Sequence, residues 1–234
     1  MRVRESRLTL RTDPPARGDP DWVRGFFANL FSDNPLFGNH DATGGNLFVF
    51  PRVQYRIAEG AVVVLGLMEG AETLEEIRIS PKHLRLGRRE HLVLGIHRES
   101  REVEIGIAPG PCSYRFVSPW MPLNQENHLR YAKSPEPERR RLLERILVGN
   151  LLTLAKGVGE TVLETIAIGG LTVHPRTRMV KKQPMKVFDG TFSVNFLIPD
   201  DWGIGRGGAR GFGVVRHWDG ITPDVDAGTE GSDG

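Results

Sequence analysis

Residues 203–215, GIGRGGARGFGVV, hold six glycines and two arginines near the C-terminal end of the chain. Two chemistries use glycine in this way. The first is dinucleotide binding, because GIGRGG satisfies the G-x-G-x-x-G pattern. That pattern requires a preceding strand, a helix opening at the loop, and an acidic residue about twenty positions on. TFSVNFLI (191–198) alternates like a strand, but GFGVVRHWDG is apolar, β-branched and too short for a helix. The closing PDVDAGTEGSDG leaves no room for a crossover helix and a second parallel strand. The second chemistry is phosphate binding. Glycine lacks a Cβ and tolerates positive φ, so successive N–H groups can be aimed at one anion. Gly203, Gly205, Gly207, Gly208, Gly211 and Gly213 are candidates for such contacts, with charge added by Arg206 and Arg210. A plain strand connector would need neither arginine nor so many glycines.

A second polyanion signal precedes the loop. Residues 171–188, LTVHPRTRMVKKQPMKVF, contain Arg176, Arg178, Lys181, Lys182 and Lys186 and no acid. A solvated strand face is the ordinary reading of such a run. Placed shortly before a Gly/Arg loop, it also makes an electrostatic footprint for nucleic acid. His174 sits at its start. The formal net charge of +2 conceals this basic character, because residues 223–234 carry four acids and no base. That tail is polar and Gly-rich and reads as disordered.

Other chemistries find less support. The single cysteine, Cys112, excludes an intrachain disulfide and fits a reducing cytoplasm. Its setting, PGPCSYRF, matches no catalytic-cysteine signature. His83, His91 and His97 fall in no metal-ligand spacing, so neither a metal nor another cofactor is expected. The longest apolar runs, such as AVVVLGLM, are far short of the roughly 20 residues a membrane helix needs. The N-terminus lacks the apolar core of a secretory signal.

The elements that must position these residues follow from periodicity. RLTLR alternates as a strand. DPDWVRGFFANLF has a capping aspartate, a proline for the first turn, and Trp22, Phe26 and Leu30 at helical spacing. LFVFPRVQYRI and AVVVLGLM read as a hairpin joined at AEG, and AETLEEIRIS as a short helix. In the second half HLVLGI and REVEIGI read as a hairpin around HRES. A long helix is expected from Ser134 to about Gly157, with Ser134 as N-cap, Pro135 first, and a stripe of Leu142, Leu143, Ile146, Leu147 and Leu151. The order predicts an α+β fold of two tandem ferredoxin-like (RRM-like) βαββαβ halves with a C-terminal glycine-rich loop. The halves are expected at 1–85 and 86–222, with the tail at 223–234.

Two blocks of the sequence resemble one family. FSVNFLIPDDWGIGRGGARGFGVV resembles the glycine-rich signature of the RAMP superfamily of CRISPR proteins, above all its repeat-processing endoribonucleases, the "Cas six" family. VRGFFANLFSDNPLFGNHD, FPRVQYRI and the GLMEGA turn are similar to the b-type branch, whose members carry NPLFHNHD and YPLIQYK. Gly38 stands where that branch has its first histidine, and Phe50 where it has a tyrosine; His40 and Tyr55 are kept. The resemblance implies a metal-independent cut in CRISPR repeat RNA. The 2′-OH attacks the adjacent phosphate, leaving a 2′,3′-cyclic phosphate and a 5′-OH.

Such a reaction needs a base, an acid and positive charge for the phosphorane. His40 is the expected base: its ordinary pKa near 6.5 suits proton transfer at neutral pH, and Asn39 and Asp41 flank it. Tyr55 is a candidate orienting or proton-donating group. Arg52, Arg56, Lys181 and Lys182 are candidates for transition-state charge. The expected partner is the precursor guide transcript, and the resemblance leaves room for a homodimer and for other CRISPR effector subunits. The alternative implied by the missing histidine and hydroxyl is a RAMP subunit that grips RNA without cutting it.

Overall fold

The computed structural model describes residues 1–38, 50–180 and 183–220. His40, Lys181, Lys182 and the 223–234 tail lie outside the described residues. The chain begins with a long strand, β1 (Arg2–Asp13), whose alternating side chains go to opposite faces of a sheet. Helix α1 (Pro20–Leu30) follows; Asp19 caps it by accepting from the Asp21 amide, and Pro20 occupies its first position. One turn of helix, α2 (Pro35–Gly38), closes this segment. Strands β2 (Val53–Ala58) and β3 (Ala61–Leu67) form the expected hairpin around Glu59 and Gly60, both with positive φ, as a tight two-residue turn requires. Helix α3 (Glu69–Glu76) then crosses the sheet.

The next strands differ from the sequence reading. β4 is His83–Leu86, and β5 is one continuous strand, Arg89–Glu104, where a hairpin around HRES was expected. Both pair into the first sheet, whose order is β2-β3-β1-β5-β4. The strands beyond residue 85 that were assigned to the second half therefore complete the first. β4 pairs only with residues 89–92 of β5, so the HRES stretch lies along β1 with no strand on its other side among the described residues. An edge strand of this kind favours charged side chains, and their polarity mimics a turn.

The second half starts with β6 (Gly106–Phe116). Helix α4 (Gln125–Lys133) was not expected; Asn124 caps it by accepting from the Asn127 amide. Helix α5 spans Glu136–Gly157, with Pro135 in the cap position and Ser134 ending α4 instead of starting α5. Of its predicted stripe, Leu142, Leu143, Leu147 and Leu151 are buried and Ile146 is half-buried, while Leu154 extends the buried face by one turn. Strands β7 (Ile168–Val180) and β8 (Gln183–Leu197) form a long hairpin, and β9 (Val215–His217) closes the chain's second sheet, ordered β7-β8-β6-β9. The first strand of each half thus lies centrally, β1 between β3 and β5 and β6 between β8 and β9, the ferredoxin-like order, with short β4 added at the outer edge of the first sheet. In the second half the glycine-rich loop, with a short 3-10 turn at Gly208–Arg210, takes the place of the second crossover helix.

The two halves share a core. Leu8, Leu10, Val23, Phe27, Val62 and Leu74 fill one cluster between the first sheet and its helices. Val3, Leu65 and Leu67, from the opposite face of that sheet, join Trp120, Leu147, Phe196 and Trp202 in the larger cluster of the second half. Polar groups reinforce this seam. Trp202 Nε1 donates to Glu5 Oε2 at 2.6 Å, and the Gly203 amide donates to Gln54 Oε1 at 2.8 Å. Asp201 pairs with Arg7 at 2.7 Å and with Arg216 at 2.7 Å, while Arg56 donates to its carbonyl. Asp201 also has φ 71, a left-handed conformation that aspartate tolerates better than most residues and that the surrounding bonds hold in place.

Burial pushes the Asp201 carboxyl up, but the hydrogen bond from Arg216, the charge of Arg56 and the hydrogen bond from Arg7 outweigh it and hold it below the usual carboxylate range. A carboxylate lowered in this way stabilises the fold above its unfolded pKa near 4, and the contribution fades as pH falls through the folded value. Asp201→Asn is therefore expected to cost about 3 kcal/mol at pH 7, since it leaves buried guanidinium groups without their counter-charge. Thermal melts of wild type and variant should converge as the pH is lowered below about 4; a constant gap would exclude the ionised carboxylate as the cause.

Candidate nucleic-acid interface and active site

The described residues on either side of the 39–49 segment, Gly38 and Phe50, are both anchored. At the entry, the Tyr55 hydroxyl donates to the Phe37 carbonyl at 2.8 Å, and Arg24 Nη1 donates to the Gly38 carbonyl at 3.2 Å. At the exit, Phe50 is buried with its ring 6.0 Å from that of Trp202. Two residues on, Arg52 donates to the Gly157 carbonyl and pairs with Glu69 at 2.9 Å. Phe50 and Gly38, the two departures from the family pattern, are both buried positions.

Tyr55 does not stand where a proton donor to substrate would. It is 1% exposed, packed on Phe27, and burial pushes its pKa far up despite the opposing charge of Arg24. It is a neutral hydroxyl whose one visible task is to hold the Phe37 carbonyl, next to Gly38 at the end of the described segment. Arg24, which the sequence reading did not single out, is the more informative residue. Its Nε lies 3.4 Å from Asp21 Oδ1, and Asp21 Oδ2 lies 3.3 Å from Arg210 Nη1. The chain Gly38–Arg24–Asp21–Arg210 therefore joins the His40 segment to the glycine loop. The only sequence signal for it was an Asp/Arg pair three apart in a helix's first turns, which is common on any helix.

Of the expected cations, Arg52 and Arg56 face inward. Arg56 is 8% exposed and belongs to the Asp201 cluster; burial pulls its pKa down to about 10 against the attraction of Asp201. Their carbonyl and carboxylate partners come from residues far along the chain, so both are structural cations and not the free charges the sequence suggested. The basic segment is split by strand alternation. The register pairs Arg176 with Val187 and Arg178 with Met185, putting these arginines on one face with His174, whereas Lys186 pairs with Thr177 on the other. Arg176 bridges to Asp189 at 2.6 Å, Arg178 lies 5.1 Å from the centre of the Phe212 ring, and Lys186 lies 5.6 Å from that of Tyr131. Arg176, Arg178 and His174 are exposed along the hairpin.

The glycines of the loop answer to the chain's own atoms. Gly205 has φ 74, and a Cβ there would collide with the Asn150 side chain, which accepts from Trp120 Nε1 at 3.0 Å. Gly213 has φ 61 and sits against the Ile204 carbonyl. Gly211 lies against Pro20 and the Tyr55 carbonyl, where the loop reaches β2. The amides of Gly203, Gly208, Gly211 and Gly213 donate to Gln54, Gly205, Gly208 and Pro119. Those four N–H groups are therefore committed internally, in contrast to the expected cradle of amides aimed at one external phosphate. Gly207, also at positive φ, packs on Met121 and Phe212. What the loop offers outward is guanidinium: Arg206 is exposed, bound through Nη1 to the Leu123 carbonyl at 3.3 Å, and Arg210 is partly exposed beside Asp21. Arginine forks of this kind suit phosphate oxygens.

Comparison with known proteins gives consistent matches along the chain. Two family models match in tandem: the Cas6b N-terminal domain over residues 1–104 and the Cas6b C-terminal domain over residues 106–218. An uncharacterised protein of Methanocaldococcus jannaschii is 36% identical over 140 residues, which is 60% of this chain and 95% of that protein. A crystal structure of Cas6b superposes with a TM-score of 0.85 at 28% identity, covering 93% of this chain and 100% of the other. A crystal structure of a CRISPR RNA processing endoribonuclease, also Cas6b, does so with a TM-score of 0.73 at 26% identity over the same shares.

The packing of Gly205 can be tested without RNA. Gly205→Ala combines a left-handed φ with a collision at Asn150, and should destabilise the protein by about 2 kcal/mol. For a chain of this size that is a fall in Tm of about 4–8 °C, read by differential scanning calorimetry. An unchanged Tm would mean that the loop is not held as described.

Proposed function

The chain belongs to the Cas6b family, and from that premise we propose that it is an endoribonuclease cutting CRISPR repeat RNA in a precursor transcript to release guide RNA. The observation that carries this reading is the double anchoring of the His40 segment beside a line of charged groups, Arg24, Asp21 and Arg210, that leads to the glycine loop.

The reaction uses a nucleophile already present in the substrate. His40 takes the proton from the 2′-OH, which attacks the adjacent phosphorus; the P–O5′ bond breaks, the departing O5′ takes up a proton from solvent, and the products are a 2′,3′-cyclic phosphate and a 5′-OH. A neutral imidazole near pH 7 is poised for this transfer. Arg24, bound to the Gly38 carbonyl, and Arg210, reached through Asp21, are the guanidinium groups assigned to the charge that builds on the phosphorane, which such groups stabilise without a metal ion. Tyr55 acts through Phe37, as a positioning residue. Arg176, Arg178 and Arg206, with Lys181, Lys182 and Lys186, bind the phosphates of the repeat. This arrangement suits recognition by backbone and shape, the usual mode for paired RNA.

A second reading, RNA binding without cleavage, draws on the buried Gly38 and Phe50, which leave neither an imidazole nor a hydroxyl at those places. One experiment separates the two. End-labelled repeat RNA is incubated in chelator with wild type or His40→Ala. Wild type should cleave it, and the variant should bind with similar affinity while cutting at least about 100-fold more slowly. Binding by both proteins with no cut by either would establish the second reading. In the same assay, Arg206→Ala with Arg210→Ala should weaken binding and reduce the slope of log K against log salt by about 1 to 2, as two lost phosphate contacts require. An unchanged slope would remove those arginines from the interface.

A further inference from the structure

At the seam between the halves lies a cavity of about 300 Å³. Arg56 and Glu59 line it from the first half, and Ser118, Arg178, Asp201 and Arg216 from the second. Its three arginines, Arg56, Arg178 and Arg216, outnumber the two carboxylates, Glu59 and Asp201, that line it. One Asp201 carboxylate serves Arg7 and Arg216 directly and lies 3.7 Å from Arg56. Arg56 gives Nη1 to the Asp201 carbonyl, while its buried Nη2 has no acceptor among the described residues. A guanidinium that is nine-tenths buried with an unanswered N–H₂ is costly, because its lost hydration is not replaced. Arg178 reaches the same cavity from the hairpin, held over the Phe212 ring, with no carboxylate among its described contacts. The Ser118 oxygen accepts from the Val214 amide at 2.9 Å, which leaves its proton to donate.

These groups make a donor set of three guanidinium groups and one hydroxyl around a space far too small for an RNA stem. We propose that this interdomain cavity is a phosphate-group site, taking one phosphate with at most its attached nucleoside, on Arg56, Arg178, Arg216 and Ser118. Guanidinium forks match the tetrahedral oxygens of such a group. Because its walls come from both halves, an occupant bridges them and stabilises their joint fold by mass action. The site stands on its own side chains and does not depend on the cleavage reading.

The test is calorimetric titration of the full chain, at constant ionic strength, with inorganic phosphate and separately with a ribonucleoside 5′-monophosphate. Saturable one-site binding is expected, weakened about tenfold by Arg178→Ala and lost in Arg178→Ala with Arg216→Gln. Circular dichroism and melting without phosphate check that both variants are folded, and Arg178→Ala, an exposed change, should melt as wild type does. Tighter binding of the nucleotide identifies a phosphate of RNA as the occupant; equal binding identifies free phosphate, and either result supports the site. No saturable binding to wild type, or undiminished binding to folded Arg178→Ala, overturns it. His40→Ala should bind both probes as wild type does, so a failure of the cleavage reading leaves this result interpretable.

Discussion

Asp201, Trp202 and Gly203 are three consecutive residues of the second half whose polar groups are bound largely by side chains of the first. Arg7 and Arg56 hold the aspartate, Glu5 the indole, and Gln54 the glycine amide. All four partners lie on β1 and β2, and Glu5, Gln54 and Arg56 are themselves buried. Water cannot replace any of these bonds at low cost, so the arrangement is specified as a unit. Interfaces between domains of one chain are usually polar and allow movement. This one adds a continuous apolar core, with Val3, Leu65 and Leu67 of the first sheet among the aromatic residues of the second half.

The consequences run outward along the chain from that clamp. Once Gly203 is fixed against Gln54, the next ten residues must turn back within a short distance to deliver Val215 into the second sheet. Positive φ at Gly205, Gly207, Gly211 and Gly213 is how they do so. The loop thereby lies on α1 and β2, and Arg210 meets Asp21. On the other side Phe50 rests on Trp202 of the same clamp, so one buried ring supports the return of the His40 segment.

Most of the fold was legible in the residues. Alternation marked β1 and the β2–β3 hairpin, the Asp19–Pro20 pair marked α1, and the leucine stripe marked α5. Periodicity failed where tertiary context overrode it. HRES is polar because that part of β5 has an open edge, and a polar stretch in a strand looks like a turn. Ser134 is a good cap in principle, yet it ends α4, a helix of low hydrophobicity with one buried residue, Tyr131, and hence little apolar rhythm to detect. In the candidate site, the outward arginines at 176, 178 and 206 were legible as residue types in a basic, glycine-rich context, whereas His40 was named from the family resemblance and lies outside the described residues. Arg24 was not, because its meaning depends on Gly38 and Asp21 lying together in space.

The sequence by itself determined the grammar of the chain: which segments are strands or helices, that two similar halves follow one another, and that the second carries a basic hairpin and a glycine-rich turn. These properties are local, set by side-chain periodicity and backbone freedom within a few residues. Only the tertiary structure decided which cations are spent inside and which remain for a polyanion. Arg52 finds Gly157, and Arg7 finds Asp201 across 194 positions, whereas Arg178 and Arg206 keep outward faces. The same holds for the glycines, whose missing Cβ atoms make room for Asn150, Ile204 and Pro20. The free energy of a charge or a backbone conformation depends on what is packed against it, and those neighbours come from distant parts of the chain.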